Sequence, residues 1–197
     1  IIANLASVNL THLDEHRLTP EDWDRVAKAQ PAIRSLRLSI NDESAVTVTD
    51  IASHARSVAR RSDDPLGMVV VDYLQLMASP TSRRQENRQQ EVATISRRLK
   101  LLAKELHCPV VALSQLNRAS EGRMDKKPTM ADLRESGALE QDSDVVILLH
   151  ADEDQPGTIL AAVAKNRHGT TGAFELDKYG HYARVVDQQW TPTRGIA

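Results

Sequence analysis

The chain has 197 residues, 41% hydrophobic, 26% charged and only 3% aromatic, with a formal net charge of −2. That is enough for one domain with an aliphatic core and the composition of an ordinary soluble globular protein, and the near-neutral balance excludes a global nucleic-acid footprint. Any contact with DNA must therefore come from a few Arg or Lys on loops, or from charge shared among subunits.

Residues 1–18 carry a mixed apolar pattern that predicts helix. His12 and His16, four apart, would share a face of it. Such a pair can bind a metal, but no third ligand stands nearby, so both are expected as surface histidines. "LTPEDW" is a helix start: Thr19 caps, Pro20 takes the first helical position, and Glu21 and Asp22 suit the positive end of the dipole. Pro31 is the expected stop. "RLSI" (37–40) reads as a strand. "TVTDIASHARSVARR" reads as a second capped helix with Ile51, Ala55 and Val58 on one face.

After the turn "DDPLG", residues 68–71 are continuously apolar, the pattern of a strand buried on both faces. A helix is expected from Arg88 to His107, with Val92, Ile95, Leu99, Leu102 and Leu106 recurring at three- and four-residue steps. Cys108, the single cysteine, excludes an internal disulfide and reads as a small buried hydrophobe. "PVVALSQ" (109–115) and "DVVILLH" (144–150) are two more apolar strands. No apolar stretch reaches membrane-span length and no signal-peptide pattern occurs, so the cytoplasm is the expected compartment.

Strands alternating with helices in this way predict an α/β fold, a mostly parallel sheet with helices on both faces. The tail differs. "TILAAVAKNRHGTTGAFEL" holds two β-like runs around an Asn/Gly-rich turn and is followed by "HYARVV", which predicts a C-terminal antiparallel hairpin on the sheet edge.

In a parallel sheet, ligands bind beyond the carboxyl ends of the strands. Asp72 stands at that end of 68–71, and Gln115 at the same end of 109–115. A carboxylate there can position Mg²⁺ against phosphate oxygens. An amide, which both donates and accepts, can tell a phosphate from a vacant site or simply satisfy loop backbone. An apolar run ending in Asp is a weak signal alone.

The motifs "VVVDYLQL", "ENRQQEV", "ALSQLNR", "DLRESGALEQDSDVVILLH" and "AKNRHGTTG" occur in this order. Together they closely resemble the C-terminal RecA-like motor domain of the bacterial replicative helicase, the DnaB family, over residues 14 to 187. The resemblance makes 1–197 the C-terminal part of a RecA-like ATPase domain. It implies ATP hydrolysis coupled to 5′ to 3′ translocation on single-stranded DNA, in a homo-hexameric ring that works with primase and a helicase loader in the primosome.

The resemblance also implies residue roles. Asp72 matches the aspartate that holds Mg²⁺ at the ATP, and Gln115 the glutamine that senses the γ-phosphate. Arg134, Glu135 and Gly137 in "LRESG" match the DNA-binding loop. Arg134 would meet a phosphate, and Gly137 would sit in a positive-φ turn that lets backbone approach the strand. The other reading of Arg134 is a surface ion pair with Asp132 or Glu135. Lys165 and Arg167 alternate with apolar residues and so point to one face of a strand. They match a basic finger reaching the neighbouring subunit's ATP. The alternative is an edge strand protected by charge. His168 is expected to shape the turn.

One element departs from the pattern. No G-x-x-x-x-G-K-[ST] occurs in the chain. In the family that phosphate loop and the catalytic glutamate precede the matched region, and the chain starts at Ile1, so a piece of a longer or split protein is expected. Two other readings remain: a different RecA-like ATPase of the recombination or clock type, or a non-catalytic assembly domain.

Overall fold

The structure is a computed structural model, and it describes residues 1–44, 46–77, 85–117, 127–151 and 155–188. Contacts divide the chain into two compact units: Ile1–Leu38 with Leu149–Ala162 and the chain from Gly172, and Ser39–Leu148 with Val163–Thr171.

In the first unit, residues 1–18 form two short helices rather than one, α1 (Ile2–Ala6) and α2 (Leu10–Asp14). Ser7 turns the chain in the left-handed region and Asn9 caps the second helix through Thr11 N–H. His16 lies past α2 with φ 55°, so it shares no helix face with His12. Helix α3 (Pro20–Ser35) starts at the predicted cap. Asp22 N–H donates to Thr19 Oγ1 and Thr19 N–H to Asp22 Oδ2, both at 3.2 Å. It runs past Pro31 to Ser35. The proline deprives the Ala27 carbonyl of its donor, but Ala27 is exposed, so water can take that place.

The second unit begins in a segment without regular structure. "RLSI" forms no strand, and Ile40 is 70% exposed. β-propensity yields a strand only where another strand takes its hydrogen bonds. Helix α4 (Val48–Arg61) follows, capped reciprocally by Thr47 and Asp50. Strands β1 (Val69–Val71) and β2 (Val110–Ala112) pair in parallel, Val69 opposite Val110 and Val71 opposite Ala112. Between them come α5 (Leu74–Met77) and α6 (Gln85–Leu106). Val71, Leu74, Leu99 and Leu102 pack with Val48 and Ala52 of α4 into the core, flanked by Ile95, Leu106 and Val110. Among the described residues helices cover one face of β1. Val71 is buried against them, but Val70 on the opposite face is 55% exposed, so the expected burial on both faces does not hold.

A 3₁₀ turn (Met130–Ser136) runs directly into α7 (Gly137–Asp142), which packs on α6. Strands β3 (Val145–Ala151), β4 (Thr158–Asn166), β5 (Gly172–Tyr179) and β6 (Arg184–Asp187) then form a four-stranded sheet in sequence order. β5 and β6 pair antiparallel, from Leu176 opposite Asp187 to Tyr179 opposite Arg184. This is the predicted α/β fold with a C-terminal antiparallel sheet. Two details differ from expectation: β3 pairs in the second sheet rather than beside β1 and β2, and β4 lies between β3 and β5 rather than at an edge. Apolar continuity reports that a strand is buried, not which strand is its neighbour.

Candidate functional site

The rim where β1 and β2 end is built by backbone stitching. Leu113 N–H donates to the Val71 carbonyl at 2.9 Å, and Leu74 N–H donates to the Leu113 carbonyl at 3.0 Å. Leu74 is almost wholly buried and anchors α5 immediately after the strand. Asp72 is thereby left between a fixed strand and a fixed helix, and it is exposed. Among the described residues its carboxylate has no hydrogen bond or ion pair. A strand-end carboxylate, an acceptor with no donor of its own, fits a cation. No group of three or more His, Cys, Asp or Glu suited to a metal occurs among the described residues. A lone carboxylate of this kind can serve a hard cation that takes one or two protein carboxylates and fills its shell with water and other oxygens.

Gln115 stands on the same rim, three residues past β2. Its backbone is held by the side chain of Gln75 on α5. Gln75 Nε2 donates to the Gln115 carbonyl at 3.2 Å and to Ser114 Oγ at 2.9 Å, and Gln115 N–H donates to Gln75 Oε1 at 3.2 Å. The loop backbone is thus satisfied by Gln75, and the Gln115 amide makes no hydrogen bond among the described residues. A cleft of about 350 Å³ opens here, lined by Tyr73, Leu113, Ser114 and Gln115. The rim therefore brings together an unpaired carboxylate, an uncommitted amide and an open cleft.

The backbone of Arg134 and Glu135 belongs to the 3₁₀ turn Met130–Ser136; their side chains lie outside the described residues. Asp132 fixes the start of that turn, accepting from Thr129 N–H at 2.7 Å and Thr129 Oγ1 at 3.1 Å while buried. Gly137 corrects an expectation: its φ is −52°, ordinary right-handed helix, because it continues the turn into α7. Any side chain could adopt that conformation, and an added Cβ would meet nothing within 4 Å.

Lys165, near the end of β4, and Arg167, just past it, both turn to the junction of α7 and β3. Lys165 Nζ donates to the Ser143 carbonyl at 2.8 Å and to that of Glu140. This is the usual role of a lysine at a helix carboxyl end. Arg167 N–H donates to the Asp144 carbonyl at 2.8 Å, and its Nη1 to Asp144 Oδ1 at 3.1 Å. The other carboxylate oxygen, Oδ2, accepts from Lys100 on α6. The Lys100 hydrogen bond, with the charges of Lys100, Arg167 and His168, holds the Asp144 carboxyl below the usual range against a smaller opposing effect of burial. Because β4 is interior, charge protection of an edge does not account for these two cations. In the turn after β4 the backbone N–H of His168 donates to Asn166 Oδ1 at 3.3 Å. Asn166 Nδ2 in turn donates to the Thr170 carbonyl, and a Cβ on Gly169 would come within 2.5 Å of that nitrogen, so a larger residue there would displace the Asn166 side chain from this bond.

No described hydrogen bond or ion pair joins Asp72 or Gln115 to Lys165 or Arg167. Sequence reasoning missed Gln75, Lys100 and Asp144. The only hint was polar residues flanking apolar runs, which does not name a partner.

Residues 1–187 match the family model described as the DnaB-like helicase C terminal domain. The chain is 41% identical over 187 residues to the replicative DNA helicase DnaB of Geobacillus stearothermophilus, covering 92% of this chain and 40% of that protein. It is 46% identical over 188 residues to DnaB of Mycobacterium leprae (strain TN), covering 92% and 30%. It therefore spans well under half the length of these relatives. A solved structure described as an ATPase domain superposes with a TM-score of 0.86 at 32% identity, over 95% of this chain and 68% of that one. A DnaB-like replicative helicase, described with its interactions with primase, superposes with a TM-score of 0.85 at 31% identity, over 95% and 47%. Taken with the motif order and the two-sheet architecture, these matches mean that the chain belongs to the DnaB-like helicase C-terminal domain family.

Proposed function

We propose that this chain is part of the motor of a replicative DNA helicase, in which ATP hydrolysis drives 5′ to 3′ movement on single-stranded DNA and opens the duplex. The observation that supports it most is the rim: the unpaired Asp72 carboxylate at the end of β1, beside Gln115, whose backbone is fixed and whose amide is uncommitted. Asp72 would hold Mg²⁺, which when bound neutralises charge on phosphate oxygens. Gln115 would bond the terminal phosphate and relay its presence along the loop held by Gln75. The phosphate cradle and the water-activating group would come from the remaining length seen in the relatives.

Arg134, with the backbone of Glu135 and Gly137, would meet the DNA phosphates, and Arg167 would reach the ATP of the adjacent subunit. A homo-hexameric ring accounts for DNA binding by a chain of net charge −2, because six copies of one loop arginine accumulate in a single channel. Primase is the proposed partner by analogy with the solved helicase described with it, together with a helicase loader. The cytoplasm is the proposed compartment. No helix among the described residues is long and apolar enough to cross a membrane.

The test uses the complete protein on forked duplexes with a single-stranded 5′ or 3′ tail. ATP-dependent opening of the 5′-tailed fork is expected. Asp72→Asn should abolish turnover with ring assembly and circular dichroism unchanged, because asparagine keeps the shape and loses the charge. Normal turnover in that variant would remove Asp72 from the site. Wild-type protein inert toward ATP and forks would favour an assembly role.

A further inference from the structure

Arg167 is not the end of a free side chain. It is fixed to Asp144 twice, through its backbone N–H at 2.8 Å and through Nη1 at 3.1 Å. A guanidinium carries five N–H donors in a rigid fork. Among the described residues Arg167 uses one of these, on Asp144 Oδ1, so four remain for a phosphate. Lys165 differs, because its ammonium already donates to two carbonyls at the end of α7. One N–H of the Lys165 ammonium remains against four of the Arg167 guanidinium, so Arg167 has the larger set of donors to offer.

Charge gives Lys100 a purpose. An Arg–Asp pair alone is neutral and would attract an anion weakly. Lys100, only 24% exposed, donates to the other oxygen of the same carboxylate. The three groups then carry one net positive charge, and Arg167 keeps its value for an anion while its direction is held. The two contacts arrive from different elements, Lys100 from α6 and Arg167 from the turn after β4, and meet on an aspartate immediately before β3.

We propose that Asp144, held by Lys100, is a positioning residue for Arg167: the pair orients the guanidinium and keeps the cluster cationic, so that the unused donors face a phosphoryl group brought by an adjacent subunit. This rests on the reading of Arg167 as a finger acting on ATP. Neither Asp144 nor Lys100 touches the substrate; both act through Arg167.

The experiment measures kcat and KM for ATP in the complete, assembled protein for Arg167→Ala, Asp144→Asn, Lys100→Met and the double variant Asp144→Asn/Arg167→Ala, with radiolabelled ATP to resolve residual turnover. Melting temperature and ring size are followed for each. Asp144→Asn and Lys100→Met should each lower kcat about tenfold, the scale on which misplacement of a reacting group acts, with KM within about twofold of wild type. The double variant should turn over no more slowly than Arg167→Ala alone, because a residue that acts through Arg167 has nothing left to position. Should Asp144→Asn fail to assemble, Lys100→Met, which leaves the aspartate in place, decides in the same way. Wild-type kcat in these variants, or a double variant about tenfold below Arg167→Ala, overturns the positioning role while leaving Arg167 as a finger. Wild-type kcat in Arg167→Ala removes the finger itself, and the positioning role with it.

Discussion

Gln75 grips Gln115 by both of its backbone groups, donating to its carbonyl and accepting from its N–H at 3.2 Å each. One side chain thus ties the segment after β1 to the segment after β2. Gln75→Ala should remove this tie at a cost of about 1–2 kcal/mol, the net value of a few part-exposed hydrogen bonds. Turnover of the complete protein should fall about fivefold, because Gln115 loses its fixed position. Denaturant unfolding and steady-state ATPase rates check the two halves. A stability loss with unchanged turnover would make the clamp structural only.

What was legible in the sequence was local. The cap at Thr19 formed as read, and the second helix is capped as expected, by Thr47; each cap joins residues three apart. The rim was legible because an apolar run ending in a polar residue marks the carboxyl end of a strand, and Asp72 and Gln115 do stand at that end of paired parallel strands. What escaped depends on contacts distant along the chain. Gln75 meets Gln115 across 40 positions, and Lys100 meets Asp144 across 44. No periodicity signals such a pairing. "RLSI" failed as a strand for the same reason, since propensity does not supply a partner. The positive φ expected of Gly137 came from its residue type, but its helical neighbours set φ at −52°.

Asp22 makes acid stability testable. Its carboxyl lies below the ordinary aspartate range, chiefly through the hydrogen bond with His12, then through Thr19 N–H and Arg25, against the opposing effect of burial. A depressed folded-state value means stability that is fully present above the unfolded pKa, about 3.9, and is lost as pH falls through it toward the folded value. The melting temperature of the complete protein should therefore drop below about pH 4. Asp22→Asn should be less stable at neutral pH and show a shallower fall in acid. Glu21, Asp50, Glu105 and Asp144, also held low, contribute to the slope that remains. An unchanged acid slope in Asp22→Asn would show that the carboxyl is not held low by these contacts.

Arg134→Ala should weaken single-strand binding by the assembled ring and flatten its salt dependence. Each lost phosphate contact removes about 0.7 from the slope of log K against log salt on a single strand. Because phosphates carry no sequence, the loss should be similar on homopolymers of different base. Fluorescence anisotropy across a salt series measures both. Unchanged binding and slope would make Arg134 one half of a surface ion pair.

Complementation between Arg167 and Asp72 separates a shared site from a self-contained one. If Arg167 serves the neighbouring subunit's ATP, every interface pairs the Asp72 of one chain with the Arg167 of another. Rings of Asp72→Asn alone or Arg167→Ala alone then contain no intact site. Co-assembled rings do: wherever the Arg167→Ala chain supplies Asp72 and the Asp72→Asn chain supplies Arg167, a complete site forms. A site completed within one chain gives none, whatever the mixture. Random mixing in equal amounts makes about one interface in four intact, so ATPase activity should recover toward about a quarter of wild type if interfaces fire independently. Recovery will be smaller if subunits must fire in turn, so subunit exchange is confirmed separately with fluorescently labelled chains. Arg167→Ala should also leave nucleotide affinity within a few fold of wild type, because charge builds on the transferred group chiefly in the transition state. Mixed rings that exchange subunits yet stay as inactive as either parent would argue against a shared site, and a nucleotide-bound structure with Arg167 remote from every phosphate would remove the finger assignment.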